Sequence, residues 1–231
     1  MAMIRGVVFD LDDTLYFERY YVRSGLQFVA NTVAQDAKLP AESLFSFLWQ
    51  SFLDGVRGNT FDALLAEFPA AASRFSVDTL VRLYREHPPS ITLTTEPASL
   101  LTKLYAAGYR LGLISDGPYP SQSAKVEALG LRNLLDPVIL TDQWGKGYWK
   151  PHPRAFETVA GYWGLVPSEL VYVGDNPQKD FAAPKRLGWH TVRLRCLEQL
   201  RWELEPTSQD DAPNIQIDSL TKLSDYLQLR S

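Results

Sequence analysis

Residues 4–15 read Ile-Arg-Gly-Val-Val-Phe-Asp-Leu-Asp-Asp-Thr-Leu (IRGVVFDLDDTL). The first half, Ile4–Phe9, is β-branched and nearly all apolar, and it stops abruptly at Asp10. A run without polar alternation predicts a strand buried on both faces, as in a parallel sheet. Similar runs recur at Arg110–Ile114, Val138–Leu140, Leu170–Val173 and Thr191–Leu194. Helical patterns separate them: Pro97–Ala107, Pro120–Leu129, Pro153–Trp163 and Gln178–Leu187, followed by Gly108, Gly130, Gly164 and Gly188. A glycine just past a helix supplies the left-handed residue that ends it. This alternation predicts βαβ units and an α/β fold with a doubly wound parallel sheet.

One stretch breaks the pattern. Between Ser24 and His87 no strand is evident, but helical stripes are. Leu26, Val29, Val33 and Ala37 form one, and Leu44, Phe45, Leu48 and Phe52 another. Phe61, Leu64, Leu65 and Phe68 follow an Asn59–Thr60 start, while Val77, Leu80, Val81 and Tyr84 follow Ser76 as N-cap. A small helical bundle inserted after the first strand is expected, with His87-Pro88-Pro89-Ser90 as the return linker. The predicted division is a core of residues 1–16 and 91–231 around an insert of 17–90. The polar, acidic stretch Glu203–Asn214 reads as a surface loop.

With 231 residues, 45% of them hydrophobic, the chain can bury a sizeable core, and disorder is not expected. A net charge of −4 removes the electrostatic case for nucleic acid as the main partner. Cys196 is the only cysteine, which excludes an internal disulfide and a thiolate zinc site. The first ten residues are unlike a secretory signal, and no apolar stretch approaches a membrane span, so the expectation is a soluble cytoplasmic protein with no membrane partner.

In an open parallel sheet, ligands bind outside the carboxyl ends of the strands. There the sequence places Asp10, Asp12 and Thr14; then Ser115, Asp116 and Gly117; then Lys150 before Pro151; then Gly174, Asp175, Asn176 and Asp180. Any one of these has an ordinary reading as a helix cap, a turn or a solvated lysine. Their coincidence at four strand ends is what points to chemistry. Carboxylates with no Cys or His cluster suit a hard cation such as Mg²⁺, and cation plus lysine would let an anionic nucleophile approach a phosphate. Asp10 and Asp12 point the same way on an extended backbone, so one can attack phosphorus while the other serves the leaving oxygen. A general acid must be protonated, and raising an Asp pKa by about three units costs roughly 4 kcal/mol. Neighbouring carboxylates and the arriving phosphate are expected to push Asp12 upward. Asp12 is therefore expected to offer the metal its backbone carbonyl, with carboxylates coming from Asp10 and Asp175.

The segments Phe9-Asp10-Leu11-Asp12-Asp13-Thr14-Leu15, Ile114-Ser115-Asp116-Gly117, Lys150-Pro151 and Gly174-Asp175-Asn176 with Asp180 resemble the four motifs of the haloacid dehalogenase superfamily. They occur in order and cover essentially the whole chain outside the helical insert. The resemblance implies a Rossmann-like core with a helical cap, and a Mg²⁺-dependent phosphatase acting on a small-molecule phosphate ester. It implies Asp10 as the nucleophile that forms an aspartyl-phosphate, and Asp12 as acid and then base. Ser115 and the backbone near Asp116 would bind the phosphoryl oxygens, and Lys150 would balance their charge. Asp175 would bind the metal, with Asp180, Asn176 and Thr14 in support. At the second motif Asp116 stands where Asn is more usual, and Tyr148-Trp149 before Lys150 is an unusual aromatic pair.

Within the superfamily, a dehalogenase has no need of Asp12, because halide leaves unprotonated. A phosphonate hydrolase would want a cap lysine, and only Lys38 is there to serve. A sugar phosphomutase shares the motifs and is the alternative reading. A phospho-accepting signalling module has no helical insert and no role for Asp175 with Asp180. Arg19 and Arg57 are candidates to meet a second anionic group on the substrate.

Overall fold

The computed structural model describes residues 3–227. The chain divides into two compact units: one runs to Arg19 and resumes at Thr92, and the other is Tyr20–Ile91.

The first unit is built on a parallel sheet of six strands: β1 (Gly6–Phe9), β2 (Arg110–Ser115), β3 (Val138–Leu140), β4 (Leu170–Gly174), β5 (His190–Leu194) and β6 (Ile215–Ile217). Their order is β3-β2-β1-β4-β5-β6, and every pairing is parallel. Five of these strands fall within two residues of the runs read from sequence. The short edge strand β6 does not stand out there, because it follows directly on the polar stretch that ends at Asn214 and only Ile217 is buried.

Helices α1 (Glu18–Ala37), α2 (Ala41–Leu53), α3 (Thr60–Glu67), α4 (Pro69–Ala72) and α5 (Val77–Glu86) make up the second unit, α1 beginning just before it. Their apolar stripes are buried at Leu26, Val29, Val33, Leu44, Leu48, Leu64 and Leu80. Ser76 caps α5, its hydroxyl accepting the Thr79 N–H at 3.2 Å. The return segment is fastened by Ser24, whose hydroxyl accepts the Ser90 N–H at 2.8 Å and lies 3.2 Å from Nε2 of buried His87. Arg57 is committed locally: its guanidinium donates to the Phe52 and Val56 carbonyls and lies over the Phe52 ring.

Helices α6 (Thr95–Ala106), α7 (Tyr119–Ala128), α8 (Arg154–Trp163), α9 (Ala182–Arg186) and α10 (Thr221–Tyr226) flank the sheet. Gly108, Gly130, Gly164 and Gly188 all have positive φ, between 62° and 87°, as stop residues should. Helix α9 is shorter than the Gln178–Leu187 pattern suggests. Asn176 and Asp180 hydrogen-bond nearby backbone N–H groups and hold residues 176–181 in a turn that competes with helix. No helix among the described residues is long and apolar enough to cross a membrane.

Register explains why the strands read as continuous apolar runs. Val8 lies beside Gly112 and Tyr172, and shares a core cluster with Ile114, Phe156, Val159 and Trp163. The alternate positions Val7, Phe9, Leu113, Val171 and Val173 point to the opposite face and are also fully buried. Trp163 of α8 can approach so closely because the sheet beneath it carries glycine. A Cβ on Gly6 would sit 2.8 Å from its ring and 2.6 Å from Leu170, and one on Gly112 would sit 3.1 Å from the ring. Gly6→Val should therefore lower unfolding stability by about 1–3 kcal/mol through overpacking. Gly161→Ala, with open space around its Cβ, should raise it by up to about 1 kcal/mol. Urea titration of the two variants checks both signs.

Candidate active site

Strand β1 delivers Asp10 at its carboxyl end, and the Asp10 N–H donates to the Val173 carbonyl of β4 at 2.8 Å. Strand β4 ends at Gly174 and hands over to Asp175, and the turn after it returns Asp180 to the same spot. Carboxylate oxygens of Asp10, Asp175 and Asp180 lie within 4.8 Å of one another, and all three residues are buried. Among them stands Lys150, its side chain 0% exposed. Its Nζ is 2.5 Å from Asp10 Oδ1, 2.8 Å from Asp180 Oδ1 and 2.7 Å from the Tyr172 hydroxyl.

Charge sets the protonation of this cluster. Burial pushes Asp10 up to about 6 although Lys150 and Lys179 pull the other way. Asp175 is raised further, by burial and then by the neighbouring Asp180 and Asp10 anions. Burial also opposes the charge on Asp180, but Lys150 and Lys179 outweigh it and hold Asp180 below its ordinary range. For Lys150 burial favours the neutral amine, and Asp10 and Asp180 reverse that and keep it cationic. Asp10 Oδ2 and Asp175 Oδ2 are buried acceptors without a hydrogen-bond partner. Two orphaned carboxylate oxygens beside a third carboxylate form an all-oxygen donor set that fits a hard divalent cation; a buried acceptor left unpaired is otherwise costly.

The Asp12 side chain stands apart from that cluster. Its carboxylate accepts two bonds from Lys125 Nζ, at 2.7 and 3.0 Å, one from Gln122 Nε2 at 2.8 Å, and one from the Tyr16 hydroxyl. Burial pushes its pKa up, but these donors together outweigh burial and hold it below the usual value. The elevation expected from sequence is thus reversed, by a helix (α7) that carries both Gln122 and Lys125 on one face. Gln122 Nε2 also reaches Ser115 Oγ at 3.0 Å and the Asp116 carbonyl at 2.5 Å, so it ties the first motif to the second. Gly117 permits this: its φ is +129°, and a Cβ there would lie 2.9 Å from Gln122 Nε2.

The remaining expected residues brace the site. The Asp116 carboxylate accepts the Thr141 hydroxyl at 2.6 Å and the Lys150 N–H at 3.1 Å, so it fixes the loop carrying Lys150. An anionic side chain would repel phosphate, which leaves only the backbone of Asp116 for the expected contact. Asn176 donates its N–H to Asp180 Oδ2 at 2.9 Å and accepts from the Gln178 N–H. Thr14 is buried, and its hydroxyl has no hydrogen-bond partner. Trp149 is half-buried and donates from Nε1 to Asp142, while Arg154 lies against the rings of Trp144 and Tyr148.

Several contributors are not among the residues expected from sequence. Arg193 of β5 is buried and donates from Nε to the Asp175 carbonyl at 3.0 Å. Asp13, at φ +56°, accepts the Glu18 and Leu200 N–H groups at 2.8 Å each, and Gln199 donates to its carbonyl. An arginine inside a buried strand is the one sequence signal that could have found any of these.

A family model described as haloacid dehalogenase-like hydrolase matches residues 7–194. A glyceraldehyde 3-phosphate phosphatase from Methanocaldococcus jannaschii is 30% identical over 237 residues, covering 98% of each chain. A putative HAD-hydrolase from Bacillus subtilis, solved bound to magnesium, superposes with a TM-score of 0.64 at 18% identity, covering 98% of this chain and 99% of its own. A dehalogenase solved as an intermediate complex superposes with a TM-score of 0.61 at 22% identity, covering both chains fully. Shape alone therefore does not separate phosphate from halide chemistry, but with the family match over most of its length the chain belongs to the haloacid dehalogenase-like hydrolases.

Proposed function

We propose that the chain is a magnesium-dependent phosphatase of a small phosphorylated metabolite, working through an aspartyl-phosphate on Asp10, with the unit Tyr20–Ile91 as its cap. The observation that carries this reading is the buried Asp10–Asp175–Asp180 cluster with its unpaired Asp10 and Asp175 oxygens. A halide displacement needs neither a cation site nor a second aspartate at position 12. A phosphoryl transfer uses both.

In the proposed reaction Asp10 attacks phosphorus and the ester P–O bond breaks. The leaving oxygen takes a proton from Asp12. Water then attacks the aspartyl-phosphate, gives its proton to Asp12, and Asp10 is regenerated as inorganic phosphate departs. Lys150 holds Asp10 in place by ion pairing at 2.5 Å, and Tyr16, Gln122 and Lys125 hold Asp12. Bound between Asp10 and Asp175, Mg²⁺ would offset the phosphate charge that otherwise repels an anionic nucleophile. The 30% identical relative bears the name of a glyceraldehyde 3-phosphate phosphatase, so that ester heads the substrates to be tried.

Purified protein with Mg²⁺ should release phosphate from at least one member of a panel of triose, sugar, glycolate, serine and nucleoside phosphates. EDTA and Asp10→Asn should each abolish release; silence across the whole panel would sink the reading. A second test needs no turnover. Asp10 has a folded pKa of about 6, above its ordinary 3.8, so its share of stability is present below 3.8 and lost as pH rises through 6. Asp175 behaves likewise. Protons compete with the cation for these oxygens, so Mg²⁺ should raise Tm clearly more at pH 8 than at pH 5, and Asp175→Asn should remove the shift. An equal shift at both pH values, or one that survives in the variant, would place the metal elsewhere.

A further inference from the structure

The lysine expected to hold phosphate is already occupied. Lys150 Nζ donates to Asp10 and to the Tyr172 hydroxyl, and it is ion-paired with Asp180 Oδ1 at 2.8 Å. Lys125 is engaged with both oxygens of Asp12. A phosphoryl group entering this site meets neither ammonium without displacing a carboxylate. Ser115 Oγ, the other expected contact, already accepts from Gln122. Resting on the phosphatase reading, the question becomes which cation touches the phosphoryl oxygens.

Lys179 lies in the turn between Asn176 and Asp180. Its side chain is 29% exposed, and its nearest ion-pair partner is Asp116 Oδ2 at 3.9 Å, beyond hydrogen-bond length. No side-chain hydrogen bond ties it to the described residues. Asp116 Oδ2 is itself buried and without a hydrogen-bond partner, so it attracts the ammonium without consuming its donors. Lys179 directly precedes Asp180 of the carboxylate cluster, and the Asp116 carboxylate that attracts it also accepts the Lys150 N–H, so the ammonium stands between the second and fourth motifs. The ammonium is thus partly exposed and without a side-chain hydrogen bond to the described residues, beside the carboxylate cluster.

We propose that Lys179 is a catalytic residue of this chain, donating to a non-bridging oxygen of the substrate's phosphoryl group, while Asp116 tethers it and Lys150 serves the nucleophile. No bond to Lys179 forms or breaks in the reaction. Its ammonium contributes charge-assisted hydrogen bonds to the phosphate dianion and to the phosphoryl group in transfer. In a turn already fastened by Asn176 and Asp180, its substitution should leave the fold intact.

The test compares wild type, Lys179→Met, Lys179→Arg and, as a control, Lys103→Met, an exposed position on α6. Inorganic phosphate binding in the presence of MgCl₂ is measured by calorimetry, and initial rates are taken with p-nitrophenyl phosphate. Lys179→Met should weaken phosphate binding about tenfold or more and lower kcat/KM about tenfold to hundredfold, as loss of a charge-assisted hydrogen bond does. Lys179→Arg should recover most of both, Tm should be unchanged, and Lys103→Met should match wild type throughout. A folded Lys179→Met with phosphate affinity within about twofold of wild type would overturn the proposal, even if kcat/KM fell. Because phosphate binding is read without turnover, a wild-type chain that hydrolyses nothing would sink the phosphatase reading and still leave Lys179 tested.

Discussion

A lysine ammonium sealed among carboxylates is the constraint on which the rest of the site depends. Lys150 is fully buried, and it bridges Asp10 and Asp180, which come from opposite ends of the sequence. Removing one partner of such a pair strands a buried charge, at a cost of about 3–5 kcal/mol. Yet Lys150 cannot balance the cluster alone, since Asp175 adds a third buried carboxylate. Burial, with the surplus negative charge adding to it, lifts Asp10 and Asp175 above their ordinary range. The site as built therefore stores an affinity for positive charge, whether proton or metal ion, and the proposed chemistry draws on the second.

The sheet makes this arrangement rigid with little material. β1 is four residues long and lies between β2 and β4. Three of the strand-end contacts run to main-chain acceptors. The Asp10 N–H is taken by β4, the Asp175 carbonyl by Arg193 of β5, and the Asp13 carbonyl by Gln199. Beneath, glycines at 6 and 112 let Trp163 lie close against the sheet, within a cluster that also holds Phe156, Val159 and Trp189. The close packing of that face and the fixed geometry of the carboxylates are two consequences of the same short, glycine-bearing strands.

This explains what could be seen in the sequence and what could not. Buried parallel strands announce themselves as apolar runs, and their ends announce polar residues, so Asp10, Ser115, Lys150, Asp175 and Asp180 were legible as a group. The strand β6 was not, because three edge residues of which only Ile217 is buried make no pattern. Gln122 and Lys125 were invisible for a different reason: on an amphipathic helix they look like any solvated polar pair until the helix docks. Asp12 was read as a residue lifted by its acidic neighbours, and the sign came out reversed because the decisive charge belonged to that docking helix. Lys179 was read only as part of the Gln178–Leu187 helical pattern. In each miss the deciding interaction is long-range in sequence or set by a turn.

Asp12 shows how such a site weighs orientation against proton affinity. Three donors fix its carboxylate, and each of them favours the ionised form. Holding Asp12 low works against its proposed role as an acid. It is also an advantage for its work as a base in the second half of the proposed reaction. A phosphate dianion arriving nearby acts in the opposite sense, and in a partly dry site a unit charge at 4 Å is worth about 4 kcal/mol. That is comparable to the roughly 4 kcal/mol needed to bring an ordinary Asp to neutrality. The resting site thus holds Asp12 aligned and ionised, and in the proposed reaction the substrate's own charge works toward the proton affinity that the leaving oxygen requires.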